Sequence, residues 1–217
     1  MRTTEIHALH WCGMDMQAYW DRVYSGAKPS ERSWFRPHLE LSLALIERSG
    51  VDHGAAILDV GGGESTLTDD LMAAGFRDLT VLDASQMALE RIRLRLGRAE
   101  EKVSWICGDV LAVELPRSRY ALWHDRAVFH FLTERSQRVA YVRQAALAVK
   151  PGGHIIVGVF GPEGPKQCSG LNVMRYDSRS LDEEFGNRFR LVESVEELHQ
   201  TPSGATQPFV YCHWVVL

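Results

Sequence analysis

From Ala55 onward the chain alternates short apolar runs with amphipathic stretches, and this order limits its fold more than any other feature. "AILDV", Thr66 to Ala74, "LTVLD", Gln86 to Leu96, "VSWIC", "YALWHD", Glu134 to Val149, the turn "KPGGH" and "IIVGVF" follow one another. Strands separated by crossover helices pair in parallel, so the rhythm predicts five parallel strands in one α/β sheet. The almost wholly apolar "IIVGVF" suits a strand covered on both faces. The end of the chain differs, because "FRLVESVEELHQ" and "PFVYCHWVVL" are joined only by "TPSGAT". That leaves no room for a crossover helix and predicts an antiparallel hairpin.

Helix ends carry their own signals. Ser85 can cap the helix that Gly97 closes, and Ser180-Leu-Asp-Glu183 has the spacing of a capping box ahead of a stop at Gly186. Before the first strand, helices are expected near Asp15 to Ser25 and Ser33 to Ser49, with Pro37 in the first turn of the second. We read the 217 residues as a single domain with one sizeable core, in which residues 1–54 form a helical cover and 55–217 the α/β core.

Several classes of partner are disfavoured. A net charge of -4 and the lack of a long basic run supply no general attraction for a nucleic-acid backbone. Arg91, Arg93, Arg95 and Arg98 fit the wet side of an amphipathic helix. Cys12, Cys107, Cys168 and Cys212 lie far apart with no CxxC pair, as expected of a reducing cytoplasm and not of a disulfide scaffold or zinc ribbon. His7, His10 and Cys12 lack a visible fourth ligand, so no metal is expected. No stretch approaches the ~20 apolar residues of a membrane span and the N-terminus lacks a signal-peptide core, which predicts a soluble cytoplasmic protein, monomeric or homodimeric.

The chemistry concentrates at strand ends. "ILDVGGGEST" puts Gly61, Gly62 and Gly63 between a strand and a helix, where backbone can approach a ligand closely. Asp83 ends the next strand, at the place that reaches ribose hydroxyls, and Asp109 in "ICGDV" follows the third. Aspartates at such ends also cap helices and close turns. The G-x-G-x-x-G pattern of dinucleotide binding fails, since its sixth position is Thr66. Asp59 and Glu64 would repel a pyrophosphate and attract a cationic amino acid, which suits an adenosine ligand carrying an ammonium and a sulfonium.

From "ILDVGGG" through "VLDAS", "ICGDV", "LWHD" and "LAVKPGGHIIV" to the closing hairpin, the chain resembles the class I S-adenosylmethionine-dependent methyltransferases. The resemblance implies a Rossmann-like fold: a seven-stranded, mostly parallel sheet with a C-terminal antiparallel hairpin and an N-terminal helical lid. It also implies S-adenosylmethionine as cofactor. By position, Gly61, Gly62 and Gly63 would pass under the methionine part, Asp83 with Ala84 would hold the ribose, and Asp109 with Val110 would bracket the adenine. Asp59 would orient the loop and the amino group. The loop departs from the family's GxGxG in ending at Ser65.

In the family the end of the fourth strand, here "LWHDRAVFHF", lies beside the transferable methyl. His124, Asp125, Arg126, Phe129 and His130 are therefore the candidates for the acceptor pocket. Asp125 could orient or deprotonate an acceptor, or serve a turn or an ion pair with Arg126. His130 could be a base or a packed histidine. His124 could be catalytic or face the other side of the sheet, and Arg126 could hold a loop or an acidic substrate. "YWDRVYSGAKPSERSWF" resembles the lid of small methyltransferases, including protein-lysine methylating relatives, so Trp20, Tyr24, Trp34 and Phe35 could close over donor and acceptor or simply pack a helix. Cys168, Arg175 and Tyr176 lie in a long loop that could frame the acceptor. The expected function is an enzyme that methylates a small-molecule nucleophile. The alternatives are a protein-lysine methyltransferase, with a protein acceptor, or an inactive cofactor-binding protein.

Overall fold

The computed structural model describes residues 15–26 and 28–217, so His7, His10 and Cys12 lie outside the described residues. The N-terminal cover consists of α1 (Met16–Gly26), a 3-10 turn (Pro29–Glu31) and α2 (Glu40–Arg48). The core continues with β1 (Ala56–Val60), α3 (Leu67–Ala73), β2 (Asp78–Asp83), α4 (Gln86–Leu96), β3 (Val103–Cys107) and β4 (Tyr120–Arg126). After these come α5 (Arg135–Ala148), β5 (Val149–Phe160), the short β6 (Gln167–Cys168) and β7 (Leu171–Asn172), α6 (Ser178–Phe185), β8 (Phe189–Gln200) and β9 (Thr206–Val216).

Seven strands form one sheet in the order β3-β2-β1-β4-β5-β9-β8. The first five are parallel, and β9 runs antiparallel to both β5 and β8. This is the seven-stranded α/β architecture expected from the sequence. Successive side chains of a strand point to opposite faces, and here both faces are covered. Leu58, Trp123 and Ile155 pack with Tyr141 and Ala145 of α5 on one side. Their chain neighbours Ile57, Leu122 and Ile156 pack with Ile46 of α2, Leu71 of α3 and Ile92 of α4 on the other. Each such fully buried aliphatic side chain contributes about 1.5–3 kcal/mol. Strand order reverses between β1 and β4, and in open parallel sheets ligands sit at that switch point, beyond the carboxyl ends of the strands.

Four local expectations need correction. The second helix begins at Glu40 and not at Ser33, because Pro37 disfavours helical geometry at Arg36. The segment "KPGGH" is part of β5 and not a separate turn; the sheet absorbs it by a register shift between Tyr120 and Leu122. α6 is capped by Asp177: its carboxylate accepts the Ser180 N–H at 2.7 Å while Ser180 Oγ accepts the Asp177 N–H at 3.1 Å. The capping box thus lies three residues earlier than Ser180-Glu183. Finally, the loop after β5 carries the β6-β7 hairpin, turned by Ser169 and Gly170, both at positive φ. Ser85 does cap α4, its Oγ accepting the Ala88 N–H at 3.1 Å. Among the described residues no helix is long and apolar enough to cross a membrane.

Candidate active site

A cleft with a cavity volume of about 120 Å³ opens at the switch point. Its floor begins where β1 ends. Gly61 sits at φ +67° and donates its N–H to Leu82 O at 2.7 Å, and a Cβ there would fall 2.0 Å from Val128 Cγ2. Gly63, at φ +55°, donates its N–H to Asp83 Oδ2 at 2.7 Å. Asp83 also accepts the Ser85 N–H on Oδ1 at 2.8 Å. Burial pushes its carboxyl up to about 6, against the pull of these two N–H groups. Each oxygen keeps a second lone pair, and the side chain lines the cleft.

Gly61, Asp83, Ala84, Asp109 and Val110 all line this cleft. Asp109 is steadied by its Oδ1, which accepts the Leu111 N–H at 2.9 Å. Asp59, Gly62 and Gly63 instead line a neighbouring recess of about 60 Å³, shared with Arg32, Phe35, Arg36 and His124. There Asp59 Oδ1 bonds His124 Nδ1 at 2.7 Å, while its Oδ2 is buried without a partner. Glu64 differs from its sequence expectation. It is taken up by two arginines, Arg32 at 2.8 Å and Arg91, and is not free to attract a cationic ligand.

The polar triplet at the end of β4 divides in three directions. His124 is buried between Asp59 and Ser42, whose Oγ lies 2.9 Å from Nε2, so it faces the recess. Asp125 is fully buried and accepts three hydrogen bonds: Val128 N–H at 2.8 Å, Phe129 N–H at 3.0 Å and Tyr141 Oη–H at 2.5 Å. Burial raises its carboxyl to about 6. It holds the turn after β4, which is the structural alternative to a base. Only Arg126 reaches the cleft wall, with Nε donating to Tyr211 Oη at 2.8 Å and Nη1 to Trp34 O at 3.2 Å.

The two other acceptor candidates of this segment are turned into the core. His130 is fully buried against Phe131 and Phe160, its ring's one hydrogen bond among the described residues comes from the Phe160 N–H at 3.5 Å on Nδ1, and burial lowers its imidazole to about 3. A group so weakly basic stays neutral and is a poor proton acceptor near pH 7. Phe129 packs on Tyr141, Tyr176 and Phe185, so neither it nor Tyr176 belongs to the pocket. Arg175 binds Pro162 O at 2.7 Å on the loop itself.

Trp20, Tyr24 and Trp34 of the cover and Cys168 of the hairpin stand on the cleft wall. Trp20 meets Phe131 at 5.2 Å between centroids, and the Tyr19 hydroxyl donates to Ser169 O, so cover and hairpin touch. The wall also includes Phe131, Phe160 and Phe209, which the sequence reading missed. Phe160 ends β5, beside the strand ends already singled out. Phe209 arrives from the antiparallel β9, and nothing in its local sequence marks it.

Comparison with known proteins adds to this geometry. The profile of the methyltransferase domain family matches residues 57–153. The bovine (Bos taurus) EEF1A lysine methyltransferase 4 is 30% identical over 116 residues, covering 50% of this chain and 42% of that protein. The chain spans less than half the length of the curated relatives it matches. The N-methyltransferase NodS from Bradyrhizobium japonicum WM9, solved with S-adenosyl-L-homocysteine, superposes with a TM-score of 0.70 at 16% identity, covering 94% of this chain and 99% of its own. A structure from work on conversion of a disulfide bond into a thioacetal group during echinomycin biosynthesis gives 0.75 at 16% identity, covering 93% and 91%. Residues 57–153 thus match the methyltransferase domain family, and the glycine loop, strand-end aspartates and closing hairpin stand in the fold shared with methyltransferases such as NodS.

Proposed function

We propose that this protein transfers a methyl group from S-adenosylmethionine to a small-molecule nucleophile. One observation carries the reading: Asp83 and Asp109 line the same cleft as the aromatic side chains of Trp20, Trp34, Phe131, Phe160 and Phe209. The residues present fit the donor. Gly61 lets the loop turn tightly against Val128 at the cleft, Asp83 retains lone pairs for ribose hydroxyls, and Asp109 with Val110 offers a polar and an apolar contact for adenine. Asp59 Oδ2, buried without a partner, is an acceptor left open for an ammonium.

Bound there, the donor supplies an electrophilic methyl on a sulfonium, and the departing thioether takes the C–S electron pair. The protein's own part is alignment and exclusion of water, which can supply much of the acceleration of an in-line displacement. On the wall around the aromatic side chains, Tyr24 and Cys168 are driven upward by burial, Cys168 to about 11. Neither is a base at neutral pH, and the carboxylates of the cleft, Asp83 and Asp109, are given to the donor in this reading. The acceptor therefore arrives as a competent nucleophile, such as a thiolate, carboxylate or chalcogen anion, or gives its proton to water.

The second reading is methylation of protein lysine, which the bovine relative's name favours. Purified protein incubated with methyl-labelled donor and cell extract separates the two. Label in the small-molecule fraction supports the first reading, and a labelled, protease-sensitive protein band supports the second. Donor binding with no label transferred would leave an inactive cofactor-binding protein.

A further inference from the structure

We infer that the acceptor carries an anionic group, held by Arg126 against an aromatic wall; this rests on the methyltransferase reading above and names its substrate class. Arg126 is the last residue of β4 and lines both the cleft and the recess. Among the described residues its hydrogen bonds go only to neutral oxygens, the Tyr211 hydroxyl and the Trp34 carbonyl. Its third corner, Nη2, is buried without a partner among the described residues.

No carboxylate of the described residues forms an ion pair with this guanidinium. Asp125, its chain neighbour, is consumed by the turn after β4. Glu197 accepts from Tyr211 Oη at 3.2 Å and pairs with Arg36. What stabilises the charge inside the protein is the face of Phe209, 4.6 Å from the guanidinium carbon.

A half-buried cation whose Nη2 corner is buried and unused is costly unless an anion completes it. A carboxylate or similar oxyanion matches both the charge and the geometry of a guanidinium. The surrounding wall of Trp34, Phe131, Phe160 and Phe209 suits an apolar or aromatic body behind that anion. The same charge repels an ammonium, so it argues against a lysine side chain as acceptor.

The test uses the purified full chain saturated with S-adenosylhomocysteine, whose own titration first reports whether the donor site exists. Calorimetry then compares benzoate, phenylacetate, 3-phenylpropanoate and indole-3-acetate with benzylamine, 2-phenylethylamine, 3-phenylpropylamine and tryptamine. At least one carboxylate is expected to bind about tenfold or more tightly than its matched amine. Arg126→Gln should abolish that preference while changing S-adenosylhomocysteine affinity by less than about twofold, and Arg126→Lys should retain part of it. Amines binding as well as carboxylates, or no carboxylate preference across the series, would overturn the inference. So would an Arg126→Gln protein that loses S-adenosylhomocysteine, which would assign the guanidinium to the donor. If Arg126→Gln fails to fold by circular dichroism, the wild-type preference and the Arg126→Lys comparison decide.

Discussion

Arg32 donates its Nε–H to Glu64 at 2.8 Å with both side chains only 4% exposed, and this pair ties the N-terminal cover to the glycine loop. The rest of the guanidinium clasps the end of α1 through Val23 O and Tyr24 O, each at 2.8 Å. Arg91 of α4 engages the other carboxylate oxygen. The cover is thus fastened by a buried ionic link to the loop that floors the cleft. Truncating one partner of such a pair costs about 3–5 kcal/mol, because the other charge is left buried. Glu64→Ala should therefore lower Tm by roughly 6–20 °C in a chain of this size. Thermal unfolding by circular dichroism checks this, and a shift under 2 °C would show that the link is not structural.

Gly61 should be intolerant of even a methyl group. Its φ of +67° is disfavoured for L-residues, and a Cβ would strike Val128. Backbone strain alone costs on the order of 1–2 kcal/mol. Gly61→Ala is expected to weaken S-adenosylhomocysteine binding by about tenfold or more, read by calorimetry. Wild-type affinity in that variant would mean that the loop does not shape the donor site.

The pH dependence of donor binding should follow Asp83. Its carboxyl is raised to about 6 by burial, and only the ionised form has lone pairs for both the two backbone N–H groups and ribose hydroxyls. Binding that requires the ionised form weakens as pH falls through about 6, so affinity should drop about tenfold between pH 7 and pH 5. Asp83→Asn should bind weakly at every pH and flatten the profile. A wild-type affinity flat over this interval would remove Asp83 from the account.

His130 separates a buried histidine from a catalytic one. Its folded imidazole is lowered to about 3, so the unfolded chain binds the extra proton first as pH falls below 6.5. Stability supplied by keeping the ring neutral is present above about 6.5 and is lost toward pH 3. His130→Phe should therefore lose less stability than wild type between pH 6.5 and pH 4 in urea titrations. Once an acceptor is found, the variant's kcat should stay within about threefold of wild type, less than ~0.7 kcal/mol in the barrier. A hundredfold fall in kcat would restore His130 as a base.

How far the sequence could be read depended on whether a feature was local. β1, α4, β3 and β8 follow from hydrophobic period and caps over a few residues, and their observed bounds match the expected ones. The strand ends bearing Gly61, Asp83 and Asp109 were legible for the same reason, since parallel topology delivers them to one edge. Partners fixed by tertiary packing were not. Nothing near Glu64 announces Arg32 and Arg91, nothing near Asp125 announces Tyr141, and Phe209 reaches the cleft only because β9 pairs with β5. The roles of His124, Asp125 and His130 turn on side-chain direction at the end of β4, which a run of polar letters does not encode.

We propose that the methyl donor lies in the cleft shared by Asp83 and the aromatic wall. Titration of the purified protein with S-adenosylhomocysteine, in parallel with an Asp83→Ala protein of matched circular dichroism, tests it most directly. We predict saturable one-to-one binding to the wild type and its loss in the variant. A folded wild-type protein that gives no heat with S-adenosylhomocysteine, or that binds a nicotinamide dinucleotide instead, would contradict it.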